Sequence, residues 1–191
     1  MRLIDYFKEN KGYIHTQNIR SKRNLFIELH NMVQAGEVVQ LKRGLYKHPK
    51  YSILDHWQEV SVIYPKAVLY LFSAFAYYNL STYMPTQAHL AINRKSKLTV
   101  TAYLPVKLHY IHEQHFHKHI INIEGVNIYN MERTICDGIK QQKQIGTDIM
   151  TEVIKSYIKK DNSNLDRLSK TAKEINMESK VNQIINIMVN L

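Results

Sequence analysis

Cysteine is almost absent from this chain. Cys136 is the one thiol among 191 residues, so no intrachain disulfide can form and a reducing compartment suits the protein. Glycine is sparse as well, with six in all. The sequence holds no phosphate-cradling glycine loop, no G-x-S-x-G, no H-E-x-x-H and no C-x-x-C. Histidines and carboxylates are too scattered to nominate an acid–base pair, so no catalytic residue, cofactor or metal is expected. Long apolar runs are missing too. The segment 67–78 is too short to span a bilayer and is interrupted by Ser73, so no transmembrane helix is expected. The opening residues MRLIDYFKEN place charges in their first turns, unlike a signal peptide. A cytoplasmic protein with no membrane partner is the expectation.

Acidic residues are in deficit. Sixteen Asp/Glu face twenty-six Lys/Arg, giving a net charge of +10. The first fifty residues hold ten Lys/Arg and four Asp/Glu, whereas the remaining chain holds sixteen and twelve. More than half of the excess therefore lies in about a quarter of the chain, which points to an N-terminal part that meets a polyanion. With 45% hydrophobic residues the chain can still bury a core.

The first fifty residues read as three short helices and a hairpin. Leu3, Ile4 and Phe7 have helical spacing, and Asn10-Lys11-Gly12 stops that helix. Tyr13-Ile14 suits a short strand. Thr16 is placed to cap a short helix through Ile19, and Ser21 to cap the next one. That third helix carries Leu25, Leu29, Met32 and Val33 on one face and ends at Gly36, where a left-handed cap is common. Two β-like runs follow in EVVQLKRGLYK, with Lys42-Arg43-Gly44 between them; glycine supplies the turn. This order predicts a winged helix-turn-helix in residues 1–50. The third helix would enter a major groove with Ser21, Lys22, Arg23 and Asn24 at its start. The wing would bring Lys42, Arg43 and Gly44 to phosphate or to a narrow minor groove. The competing reading is a solvated turn, but cations at a helix N-terminus work against its dipole unless phosphate or base edges meet them. Arg20 and Lys47 are read as general electrostatic contributors, with Glu28 and Glu37 turned away from the duplex.

Residues 51–191 are read as a mixed α/β domain, so the fold class is α/β in the α+β sense, closing with C-terminal helices. Helices are predicted over 57–63, 73–78, 131–141 and 147–159. Strands are predicted over 88–93, 98–104, 108–112 and 126–129. Two final helices are marked by Leu165, Leu168, Ala172 and Ile175, then by Val181, Ile184, Ile185, Met188 and Val189. Five histidines fall within 109–119. As a strand, this segment would put His115, His117 and His119 on one face, but adjacent strand positions rarely close a zinc site, and a polar edge or loop is the reading taken.

These residues resemble a known family. Residues 12–48 look like the N-terminal domain of AbiEi-type antitoxins, with Met32-Val33-Gln34-Ala35-Gly36 at the helix end and Arg43-Gly44-Leu45-Tyr46 in the wing. Ser73–Ser81 is similar to the family's serine-alanine helix and turn, with Asn79 where glycine is more usual. His89-Leu90-Ala91-Ile92 is similar to its following strand. Glu132-Arg133-Thr134-Ile135-Cys136-Asp137 is similar to its arginine-threonine-leucine-x-aspartate motif. The resemblance implies a bacterial antitoxin of a type IV, abortive-infection operon linked to phage defence. Its N-terminal domain would bind operator DNA and repress the operon; a palindromic or repeated operator would imply two copies on one site. Its second domain would counteract a nucleotidyltransferase-like toxin, and the family is generally held not to form a stable complex with that toxin. Ser73, Arg133, Thr134 and Asp137 would be the motif residues of that domain. Read from residue types alone, Arg133 and Asp137 make an i,i+4 ion pair, Ser73 and Thr134 act as caps or back-bonded hydroxyls, and Cys136 is a core residue. Two rival readings stay open: a module that binds a toxin directly, and an enzyme acting on nucleic acid.

Overall fold

The computed structural model describes residues 2–189, with side chains described through Ile187. The chain divides into two compact units. One runs to Tyr64 and takes in Thr99–Leu104; the other comprises Pro65–Leu98 and the chain from Pro105 onward. Each is mixed α and β. No helix among the described residues is long and apolar enough to cross a membrane.

The first unit opens with α1 (Leu3–Glu9) and β1 (Tyr13–His15), then a 3-10 turn over Thr16–Ile19. The helix α2 (Arg23–Gln34) follows, then the strands β2 (Val39–Lys42) and β3 (Leu45–Lys47). A 3-10 turn over Pro49–Tyr51 leads to α3 (His56–Ile63). The sheet order is β1-β3-β2, antiparallel throughout, with Ile14 opposite Tyr46 and Gln40 opposite Tyr46 on the two sides of β3. Leu3, Phe7, Ile14, Ile19, Leu25, Leu29, Met32 and Val38 form one buried cluster, which is the apolar spacing of α1 and α2 realised as a core.

Three local details differ from expectation. His15 rather than Thr16 is the N-cap of the 3-10 turn, and neither His15 nor Lys22, the N-cap of α2, caps with its side chain. Ser21 lies outside α2 because a turn closed by the Lys22 amide on the Ile19 carbonyl at 2.9 Å delays the helix start. The unit also runs past residue 50, because α3 is tied into it: Glu59 accepts from the Tyr13 hydroxyl at 2.9 Å and pairs with Lys47 at 2.6 Å.

In the second unit, β4 (Val68–Leu69), α4 (Phe72–Tyr77), β5 (Ala88–Asn93) and β6 (Val106–Ile111) come first. They are followed by α5 (Glu113–Phe116), β7 (Ile120–Ile123), β8 (Val126–Tyr129) and five helices: α6 (Met131–Lys140), α7 (Gln142–Ile145), α8 (Thr147–Ile158), α9 (Leu165–Glu174) and α10 (Glu178–Val189). The sheet order is β6-β5-β4-β8-β7. β5 and β6 run parallel, as do β4 and β8, whereas β4–β5 and β7–β8 are antiparallel. The helix α6 packs on α8, α9 and α10. A β-carbon on Gly138 would fall 2.9 Å from Met150 Sδ and from Phe75 Cζ, so glycine lets α6 lie close to α8 and α4.

The strand predicted over 98–104 is absent. Its residues Thr99–Leu104 lie in the first unit, where the Thr101 amide donates to the Tyr64 hydroxyl at 3.1 Å and Thr101 Oγ1 donates to the Leu41 carbonyl. Its alternation does not bury a face: Leu104 is buried, but Val100 and Tyr103 are exposed. The histidine-rich segment is also no single strand: α5 interrupts it. Asn79 has φ +51, the left-handed conformation its place in the turn requires. Met188 and Val189, expected on the inner face of α10, lie outside the described side chains.

Candidate nucleic-acid interface

Leu25, Leu29 and Met32 turn one face of α2 inward. The helical period then places Arg23, Ile27, His30 and Gln34 on the opposite, exposed face, flanked by Asn24 and Asn31. Expectation had singled out only the first turn; the 3.6-residue repeat was the signal for the rest. The first turn of α2 contains no acidic residue, so its partial positive charge adds to that of Lys22 and Arg23. Lys22 stands over the Tyr6 ring at 4.8 Å, with its ammonium against the Tyr6 hydroxyl. Glu28 is turned toward α1, where it accepts from the Leu3 amide at 3.3 Å.

The hairpin turn docks beside this helix. The Thr16 amide donates to the Gly44 carbonyl at 2.8 Å, and Thr16 begins the turn that leads to Arg20 and Lys22. A groove of about 300 Å³ separates the two elements, with Phe26, His30 and Val33 of α2 on one side and Gln40 and Tyr46 of the hairpin on the other. Arg20, Arg23 and Arg43 are exposed, and among the described residues their side chains make no hydrogen bond or ion pair.

The other two cations of the hairpin are used internally. Lys42 donates to the Ile63 carbonyl and lies 6.0 Å from the Tyr64 ring; burial lowers its pKa. Lys47 pairs with Glu59 and reaches the Tyr103 hydroxyl at 3.3 Å. Burial pulls the Lys47 pKa down, but the bonds to Glu59 and Tyr103 outweigh it and hold the ammonium above its usual range. The expected cationic set thus divides into free arginines and engaged lysines.

In the second unit the motif residues sit on and beside α6. Asn130 caps that helix by accepting from the Arg133 amide at 2.9 Å. Arg133 Nε donates to Asp137 Oδ2 at 2.8 Å, with only 2% and 4% of the two side chains exposed. Arg133 Nη1 donates to the His115 and Lys118 carbonyls at 2.9 and 3.2 Å, and its guanidinium lies 4.5 Å from the Tyr129 ring centre. Burial pushes the Asp137 carboxyl upward and Arg133 pulls it back. Thr134 Oγ1 donates to the Tyr129 carbonyl at 3.3 Å, and Ser73 Oγ accepts from the His89 amide at 2.8 Å. Glu132, also buried, accepts from Arg167 Nε of α9 at 2.7 Å. Burial pushes the Cys136 thiol up to about 12, which leaves it unreactive.

A polar cleft of about 670 Å³ opens beside α6, with Arg94, Arg133, Asp137 and Lys140 contributing its charges. His112 and His115 also line it. His112 accepts from the Gln114 amide at 3.4 Å at the start of α5, and burial lowers the His115 pKa. No group of three or more His, Cys, Asp or Glu side chains among the described residues is arranged to hold a metal.

No protein-family model matches the sequence, and no curated protein matches it. Among solved structures, the fold is similar to that of the RV2827C protein from Mycobacterium tuberculosis, with a TM-score of 0.57 and 9% identity, over 97% of this chain and 80% of that one. At that identity the likeness is one of fold.

Proposed function

We propose that this protein is a DNA-binding antitoxin and autorepressor of a type IV toxin–antitoxin operon. In this reading residues 1–50 form a winged helix-turn-helix, α2 enters the major groove, and the β2–β3 hairpin is the wing. The observation that carries the reading is the set of free arginines. Arg20, Arg23 and Arg43 are exposed and, among the described residues, unpaired, in a unit whose hairpin turn is bonded to the approach to α2. Phosphate contacts by such cations supply salt-dependent affinity, and Asn24, His30 and Gln34 offer donors and acceptors to base edges. The second unit carries the antitoxin role, which rests on the resemblance of its Ser73 and Arg133–Asp137 segments to the AbiEi-type family. The expected partner is a nucleotidyltransferase-like toxin encoded beside it.

The test is fluorescence anisotropy with duplex DNA from upstream of the protein's own gene, titrated over a range of salt. Preferred binding to that duplex over a scrambled one, weakened by Arg23→Gln and by Arg43→Gln, supports the reading. Equal binding to both duplexes, or affinity untouched by both substitutions, overturns it. Co-expression with the neighbouring gene product tests the antitoxin role: growth must recover.

A further inference from the structure

We propose that the cleft beside α6 binds a small organic phosphate of nucleoside-monophosphate size, with its phosphate held by Arg133, Arg94 and Lys140. Every residue involved belongs to the second unit, so the proposal stands apart from the DNA-binding reading.

The volume, about 670 Å³, lies within the range of small-molecule sites, ~300–1,000 Å³. The charges lining it do not balance. Arg94, Arg133 and Lys140 oppose one carboxylate, Asp137, which is already engaged by Arg133 Nε at 2.8 Å. Arg133 is also fixed before any ligand arrives: its Nη1 is bonded to two carbonyls and its face is covered by Tyr129. Its Nη2 has no hydrogen-bond partner among the described residues. A guanidinium held this way loses little freedom on binding an anion, and its Nη2 keeps two N–H donors for a phosphate oxygen.

Two further cationic groups are set around it. Arg94 follows the end of β5, its amide donating to the Ile111 carbonyl at the end of β6 at 2.8 Å. Because β5 and β6 run parallel, Arg94 and His112 stand beyond their carboxyl ends, where open α/β sheets take ligands. Lys140 is exposed at the last turn of α6. For the body of the ligand, Tyr110 offers an exposed ring, Ile175 and Met177 offer apolar surface, and the Gln141 amide, which is hydrogen-bonded to Tyr70, adds a polar group.

Burial of Arg133 decides between ligand sizes. At 2% exposure its guanidinium is out of reach of a phosphodiester inside a duplex. A terminal phosphate carries about two negative charges near neutral pH and is small enough to enter.

The experiment is isothermal titration of the full chain with AMP, GMP, CMP and UMP, alongside adenosine, inorganic phosphate and a short DNA duplex. Arg94→Ala, Lys140→Ala and Tyr110→Ala alter exposed side chains; circular dichroism confirms their folding. The expected result is a Kd below about 1 mM for at least one monophosphate, weakened about tenfold by Arg94→Ala and by Lys140→Ala. Tyr110→Ala weakens the monophosphate without changing the response to inorganic phosphate. The proposal is overturned if no monophosphate binds, if both charge removals leave binding unchanged, or if inorganic phosphate or adenosine alone binds as well. It is equally overturned if the charge removals reduce affinity for the duplex and not for the nucleotide.

Discussion

The amide of Thr16 donates to the carbonyl of Gly44 at 2.8 Å, and a β-carbon on Gly44 would lie 3.0 Å from Thr16 Oγ1. Gly44 also has φ +79, so an L side chain there is strained by its own backbone and crowded by Thr16. Gly44→Ala is expected to cost about 1–2 kcal/mol. The measurement is the urea midpoint, which falls while the slope stays constant. A midpoint equal to the parent's means that the turn relaxes at no cost and the contact does not constrain the hairpin.

Gly12 makes a harsher case. It has φ +88, and an added β-carbon would lie 2.5 Å from the Ser52 amide nitrogen. The obstacle is backbone on both sides, so neither partner can swing away. Gly12→Ala is expected to destabilise the first unit by more than Gly44→Ala does, by about 3 kcal/mol or more. Limited proteolysis of the variant should cut between α1 and α3 first; resistance equal to the parent's refutes the close approach.

Much of this architecture was legible in local sequence. The spacing of Leu25, Leu29 and Met32, the glycines at 36 and 44, and the alternation of Ala88–Asn93 each reflect forces within a few residues, so each marked its element. What was illegible depends on partners distant in the chain. Lys42 looked like a wing-tip cation, but its acceptor is the Ile63 carbonyl, 21 positions away. Lys47 read as a general electrostatic contributor, but Glu59 waits on α3. Arg133 and Asp137 could be paired by their helical spacing, whereas the burial that changes what the pair means comes from α5 and Tyr129. The alternating pattern at 98–104 resembled a strand, but Val100 and Tyr103 are exposed and only Leu104 of the segment is buried.

Under the proposed DNA-binding reading, the division between free arginines and engaged lysines gives a sharp contrast. Each phosphate contact contributes about 0.9 to the slope of log affinity against log salt. Arg23→Gln and Arg43→Gln should each lower that slope by about one unit if they touch phosphate, with little change in stability. Lys47→Gln should do the reverse. It leaves Glu59 partly buried without its cation and costs about 1–3 kcal/mol, but the salt slope stays put. A slope that drops with Lys47→Gln places that lysine on the duplex and contradicts the internal pairing.

Arg133 and Asp137 call for a double-mutant cycle. Arg133→Met strands a buried carboxylate and is expected to cost about 3–5 kcal/mol. Adding Asp137→Leu removes the second charge, so the double variant should be more stable than Arg133→Met alone. It should not return fully to the parent, because the His115 and Lys118 carbonyls lose the donors on Nη1. If the two losses simply add, the residues do not act as a pair.

The second unit should also weaken as the solution turns mildly acidic, and a pair of histidines sets the direction. His109 Nε2 and His89 Nδ1 are 3.2 Å apart, with the rings stacked at 5.1 Å between centres. Burial is the main cause that lowers both, to about 4; His109 further opposes a proton on His89, and the positive charge of Lys107 acts the same way on both. In the unfolded chain both titrate near 6.5. Between these values the unfolded chain binds protons that the folded one refuses, so stability rises with pH there. Their contribution is complete above about pH 6.5 and is lost progressively as pH falls toward 4. Urea midpoints taken between about pH 7.5 and 5 avoid most carboxylate titration and should decline with acidity. His109→Gln keeps a hydrogen-bonding group beside His89 while removing one titrating ring and its repulsion, so the decline should become shallower. His115 and His119 of the same unit, also lowered chiefly by burial, supply part of the slope that remains. A variant whose midpoint falls as steeply as the parent's would show that this pair does not govern the acid response.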